Sequence, residues 1–146
     1  MSLPTRADVR LAYTDLLRAE LVTSSGVAQV VYGYFVKDFG GQSPAVVVAD
    51  GGAWPHAFTR HGTQADYYLQ VLCFALRGET GTSYDEGDAD TILDNLLAGL
   101  IKVTQQNQVT PQWKAIGFMT RSGIEAARIG GWDYWLETHY LEFEVF

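Results

Sequence analysis

DADTILDNLLAGLIKVTQQ, residues 88–106, is the stretch whose reading decides the fold. Ala89, Ile92, Leu93, Leu96, Leu97, Leu100, Ile101, Val103 and Thr104 recur at steps of three and four, which lays one broad apolar stripe along a helix from Asp88 to Gln106. Asp85, Glu86, Asp88 and Asp90 crowd its start, where unpaired backbone N–H groups and the positive end of the dipole favour anions. Lys102 lies toward the other end, where a cation is preferred, and Pro111 sets a limit beyond Asn107. A stripe this wide needs a flat apolar surface to cover. The flanking sequence offers strands for one.

Upstream, Thr5 and Asp8 have capping-box spacing, and Val9, Ala12, Tyr13, Leu16, Leu17 and Leu21 continue a helix to about Val22 before Ser24, Ser25 and Gly26 break it. Val27–Lys37, rich in Val, Tyr and Phe, reads as a strand. A turn at Phe39, Gly40, Gly41 and Gln42 leads to Ala45–Ala49, a second strand expected to form an antiparallel hairpin with the first. Asp50–Gly62 is a long loop carrying Trp54, His56, Phe58 and His61, and Gln64–Arg77 is the longest strand candidate. Gly78–Gly87 is an acidic loop into the helix of the opening stretch. After that helix come a Gln/Asn-rich connection, a strand at Trp113–Thr120, an irregular segment at Arg121–Ile129 and a turn at Gly130–Gly131. The last strand, Trp132–Phe146, puts Trp135, Leu141, Phe143 and Val145 on one parity and Thr138, Glu142 and Glu144 on the other, so one face is buried and one wet. The expected fold is α+β: a mostly antiparallel sheet with two helices packed on one face, in a single domain spanning residues 1–146.

The 146 residues carry a net charge of −7, and clustered Lys and Arg of the kind a sequence-independent nucleic-acid binder needs are lacking. Cys73, the one cysteine, sits in an apolar run, which excludes an intrachain disulfide and reads as a buried small hydrophobe. No stretch approaches the roughly 20 apolar residues of a membrane span, and the polar N-terminus lacks an apolar signal region. A soluble protein of the cytoplasm is the expectation.

The order of elements, with DADTILDNLLAGLIKVTQQ (88–106) and IGGWDYWLETHYLEFEVF (129–146), resembles the tail terminator, or tail completion, proteins of long-tailed bacteriophages. The likeness covers nearly the whole chain, and its signals are structural: the Asp-rich entry to the second helix and the Gly-Gly-aromatic step into a closing strand. It carries Gly130, Gly131 and Trp132 over as a turn and its packing anchor. It implies a hexameric ring, assembled in the host cytoplasm and present in the virion neck, that ends tail tube growth and joins the tail to the head connector. The implied partners are copies of the chain itself, the tail tube protein, a head connector or head-completion protein, and DNA passing through the lumen without specific binding. Phe39, Gly40, Gly41, Gln42, Trp54, His56, Phe58 and His61 are the expected interface positions; Asp85, Glu86 and Asp88 are expected to face solvent or the lumen.

Other readings compete. A different neck or head-completion protein, or a tube component, shares the same class. From a different class comes a small metal-dependent hydrolase or ligand-binding domain using His56, His61, Asp50 and Asp66, but no ligand motif of known geometry accompanies these residues. The 85–90 carboxylates do not follow calcium-loop spacing. Glu137 and His139 share a strand face without a nucleophile motif such as GxSxG, and the glycine pairs lack phosphate-loop spacing. No catalytic, cofactor-binding or metal-ligating residue is assigned, and the expectation is a structural protein.

Overall fold

A computed structural model describes residues 4–50, 65–77 and 86–145. The first helix, α1, is Arg6–Leu17. The Thr5 hydroxyl accepts the Asp8 amide at 3.1 Å while the Asp8 carboxylate accepts the Thr5 amide at 2.8 Å, so two otherwise orphaned donors are satisfied together. The helix then widens into π-helical turns at Arg18–Ser24. The second helix, α2, is Glu86–Gln106. The described residues also form six strands: β1 (Val30–Tyr32), β2 (Ala45–Asp50), β3 (Ala65–Leu76), β4 (Ala115–Arg121), β5 (Glu125–Ile129) and β6 (Trp132–Val145). Together they make one mostly antiparallel α+β domain.

The sheet runs β1-β2-β3-β6-β4, with β5 beside β6 on the same side as β4. β3 and β6 pair along their length, from Ala65 opposite Val145 to Leu76 opposite Tyr134. β6 is long enough that β4 pairs its C-terminal half and β5 its N-terminal half, end to end.

Strand alternation sends Leu69, Val71, Cys73, Leu141, Phe143 and Val145 to the face covered by both helices. Val9, Tyr13 and Leu17 of α1 meet Leu93, Leu96 and Leu100 of α2 above them. Tyr13, Trp113 and Phe143 form an edge-to-face aromatic trio, with Tyr13–Phe143 centroids at 5.2 Å and Trp113–Phe143 at 5.0 Å. Trp113 stands just before β4 rather than within it, its indole N–H donating to the Asn107 carbonyl at 2.8 Å. The Tyr13 hydroxyl meets Thr104 at 3.2 Å, joining the helices inside the core.

β1 and β2 are parallel, not the antiparallel hairpin that their closeness in sequence suggests. The strand stops at Tyr32 instead of Lys37, which leaves residues 33–44 to make a crossover of the length a parallel pair requires. The crossover drops Phe39 onto the second face of the sheet, against Phe74 (4.9 Å between centroids), Tyr134 (5.4 Å) and Tyr32 (5.6 Å). Burial of that ring with Val47, Leu72 and Leu136 makes a second core and outweighs the short hairpin.

Arg121–Ile129 is also more regular than its sequence suggests, since β4 ends it and β5 begins it. Ile129 pairs with Trp132 across a two-residue loop, in which Gly130 and Gly131 hold φ of 60° and 82°. Positive φ at both central positions is the turn whose twist matches the strands it joins. A Cβ on Gly130 would collide with the Asp38 carboxylate, whereas one on Gly131 meets nothing. Gly130→Ala is therefore expected to add a collision to the roughly 1–2 kcal/mol of left-handed strain. Its melting temperature should fall about 4 °C or more, and further than that of Gly131→Ala; equal melts for the two variants would contradict this packing.

Candidate functional site: a groove at the open edge of the sheet

The two edges of the sheet differ. β1 is three residues long, and the Arg18 guanidinium donates to its Val31 carbonyl from Nε at 3.2 Å and Nη2 at 2.7 Å. β4 is longer, and its outer side pairs with no strand among the described residues. Its register against β6 slips between Phe118, opposite Leu141, and Thr120, opposite Tyr140, so Met119 is the extra residue of a bulge. Bulges turn side chains out of the regular alternation, and Met119 is half exposed.

α2 supplies the other wall. Leu93, Leu96, Leu100 and Val103 sink into the core, while Leu97 and Ile101 lie at the flank of the stripe, Leu97 partly covered and Ile101 exposed. Leu97, Ile101, Phe118, Met119, Thr120, Arg121 and His139 enclose an open groove of about 210 Å³ with mostly apolar walls. Long exposed edges with apolar flanks are surfaces that globular chains ordinarily blunt, because another chain can pair with them.

His139, which lines the groove, belongs to a buried polar pair. β6 alternation puts Glu137 and His139 on the helix side, 6% and 1% exposed. His139 Nε2 lies 3.0 Å from Glu137 Oε1, yet the contact is too poorly aligned for a hydrogen bond and neither atom has another partner among the described residues. Burial holds His139 below the ordinary imidazole pKa; Glu137 opposes this, and Arg121, its cross-strand neighbour, adds to it. Cys73 stands opposite Glu137 on β3. Burial first, and then the charge of Glu137, push that thiol far above its usual value. Cysteine, histidine and glutamate thus share one face, but the sulfur is shut from solvent and held as the thiol, which is a poor nucleophile. Sequence parity carried the signal for this pair: residues 137 and 139 are odd, like the apolar residues 135, 141, 143 and 145.

The expected interface residues fall in three groups. Phe39, 2% exposed, is core. Gly40, Gly41 and Gln42 form a turn fastened to the second face, with the Gln42 carbonyl accepting the Tyr134 hydroxyl at 3.2 Å and its side chain accepting that of Tyr32 at 3.0 Å. Trp54, His56, Phe58 and His61 lie outside the described residues, as does Asp85. Glu86 opens α2, and Asp88 is exposed in its first turn. Trp132, expected to anchor the Gly-Gly turn from within the core, is 47% exposed; its indole instead lies beside Gly41. It is the first residue after the turn, where the second face narrows to the Gly41 backbone. The residues that sequence reasoning missed are those of the groove, above all Ile101, Phe118 and Met119.

Of the proposed metal set, Asp50 pairs with Arg6 at 2.9 Å, and no cluster of three or more His, Cys, Asp or Glu is placed to hold a metal among the described residues. No helix among them is long and apolar enough to cross a membrane. No model of a known protein family and no curated protein matches the chain.

The His139 environment has a pH signature. Its folded-state pKa is below the ordinary 6.5, so between the two values the unfolded chain binds the extra proton. Stability should fall as pH drops through about 6.5. Melts of the parent and His139→Gln from pH 7.5 to 5 should show the smaller loss in the variant; parallel curves would contradict a buried neutral imidazole.

Proposed function

We propose that this chain is a phage tail terminator, a structural protein that closes into a ring on the end of a tail tube and provides the surface for the head connector. The resemblance in residues 88–106 and 129–146 points to the family. The observation that carries the reading physically is the β4 edge, unpaired on its outer side among the described residues and flanked by the exposed side chains of Ile101, Phe118 and Met119. Such an edge is a hazard in a monomer and an asset in an assembly, because a neighbour that covers it removes the hazard and buries the apolar flank. The net charge of −7 suits a lumen through which DNA slides without adhering.

A tube protein polymerises alone, whereas a terminator closes at a fixed number of subunits. The purified chain is expected to give a single closed species in mass photometry. Added to polymerising tail tube protein, it should shorten the tubes and cap their ends in negative-stain images. A strict monomer at high micromolar concentration, with tube lengths unchanged, would overturn the reading.

A further inference from the structure

We propose that the groove between α2 and β4 receives Phe35 from a second copy of the chain, so that subunits join head to tail. This rests on the ring reading above and gives it a specific contact.

Phe35 and Tyr34 follow β1, at the opposite edge of the sheet from β4, and are 55% and 62% exposed. Leu11 of α1 is exposed and lies close to Gly33, the residue before Tyr34. Among the described residues the other exposed aromatics are Phe118, which lines the groove itself, and Trp132, which lies on Gly41. A groove of about 210 Å³ matches one aromatic ring; a cavity of roughly 150 Å³ walled by aliphatic side chains takes up benzene. Phe35 brings the groove a purely apolar ring, in keeping with its mostly apolar walls.

Charge agrees with this pairing. Arg121, at the rim of the groove, makes no ion pair among the described residues. Asp15, one turn beyond Leu11 on the same side of α1, is 75% exposed and touches Arg18 only loosely, at 3.4 Å. The incoming surface thus carries the Asp15 carboxylate and the groove surface the Arg121 guanidinium, opposite charges on the two faces. Because the surfaces differ and lie on opposite edges, the contact is heterologous. Repeated, it either closes a ring or runs on as a filament.

Two variants each break one surface. Phe35→Ser removes the ring and keeps the groove; Ile101→Glu closes the groove to apolar groups and keeps Phe35. Both positions are exposed, and unchanged circular-dichroism melts would establish that each variant folds; Met119→Glu serves as a second groove variant. In mass photometry each variant alone should be monomeric at concentrations where the parent assembles, with the assembly midpoint raised about thirtyfold or more, as for a central interface residue. Mixed in equal amounts, Phe35→Ser and Ile101→Glu should form dimers and nothing larger, since one intact surface of each kind remains. If Phe35→Ser assembles like the parent while Ile101→Glu does not, the groove takes some other segment and the docking proposal falls with the ring intact. If the parent itself stays monomeric, the docking proposal and the ring reading fail together.

Discussion

The pairing of β3 with β6 is the constraint on which the rest of the molecule depends. Residue by residue from Ala65–Val145 to Leu76–Tyr134, it fixes which side chains face the helices. A slip of one residue would turn Leu141, Phe143 and Val145 away from α1 and α2 and send Glu142 and Glu144 into the core. β2 is placed by β3, and β4 and β5 by β6, so both edges inherit this register. The two helices are held by what it presents, an aliphatic face with Phe143 under Tyr13 and Trp113.

The groove follows from a mismatch in dimensions. β6 outruns any single partner on its outer side, so β4 and β5 share it, separated by residues 122–124. α2 carries a broad apolar stripe, and its flank at Leu97 and Ile101 lines the groove together with Phe118 and Met119 of β4. The bulge at Met119 opens that edge further. Glu137 Oε1 and His139 Nε2, buried and without a well-aligned partner among the described residues, lie beside the same groove. Surplus apolar surface, an unpaired strand and unsatisfied polar atoms meet in one region. Evolution tolerates that combination most easily where another chain completes it.

The elements with strong periodicity were legible in the sequence. Residues 88–106 announced α2 through apolar spacing and an acidic first turn, Thr5 and Asp8 announced the cap of α1, and Gly130–Gly131 announced a tight turn. Elements whose form depends on distant partners were not. Nothing local says that the strand beginning at Val27 should shrink to Val30–Tyr32, because the gain comes from Phe39 reaching Phe74 and Tyr134 across the sheet. β5, with Ala126, Ala127 and Arg128, has little strand preference of its own and is imposed by β6. The groove was hidden for a similar reason: Ile101 and Met119 are ordinary apolar residues in sequence, and only the packing of α2 against β4 and the bulge at Met119 leaves them exposed. The turn at Phe39–Gln42 was expected to meet other chains, but Phe39 turns inward onto Phe74 and Tyr134, while Tyr34 and Phe35, which the sequence placed in a strand, lie exposed beyond β1.

Hydrogen exchange measured over a range of protein concentrations tests most directly whether this chain works through its own edges. With assembly, the amides of residues 115–121 and 33–37 should gain protection together, at the concentration where mass first rises, while β3 stays protected throughout. If β4 exchanges equally fast at every concentration, including those at which larger species are present, the open edge is not what joins the subunits.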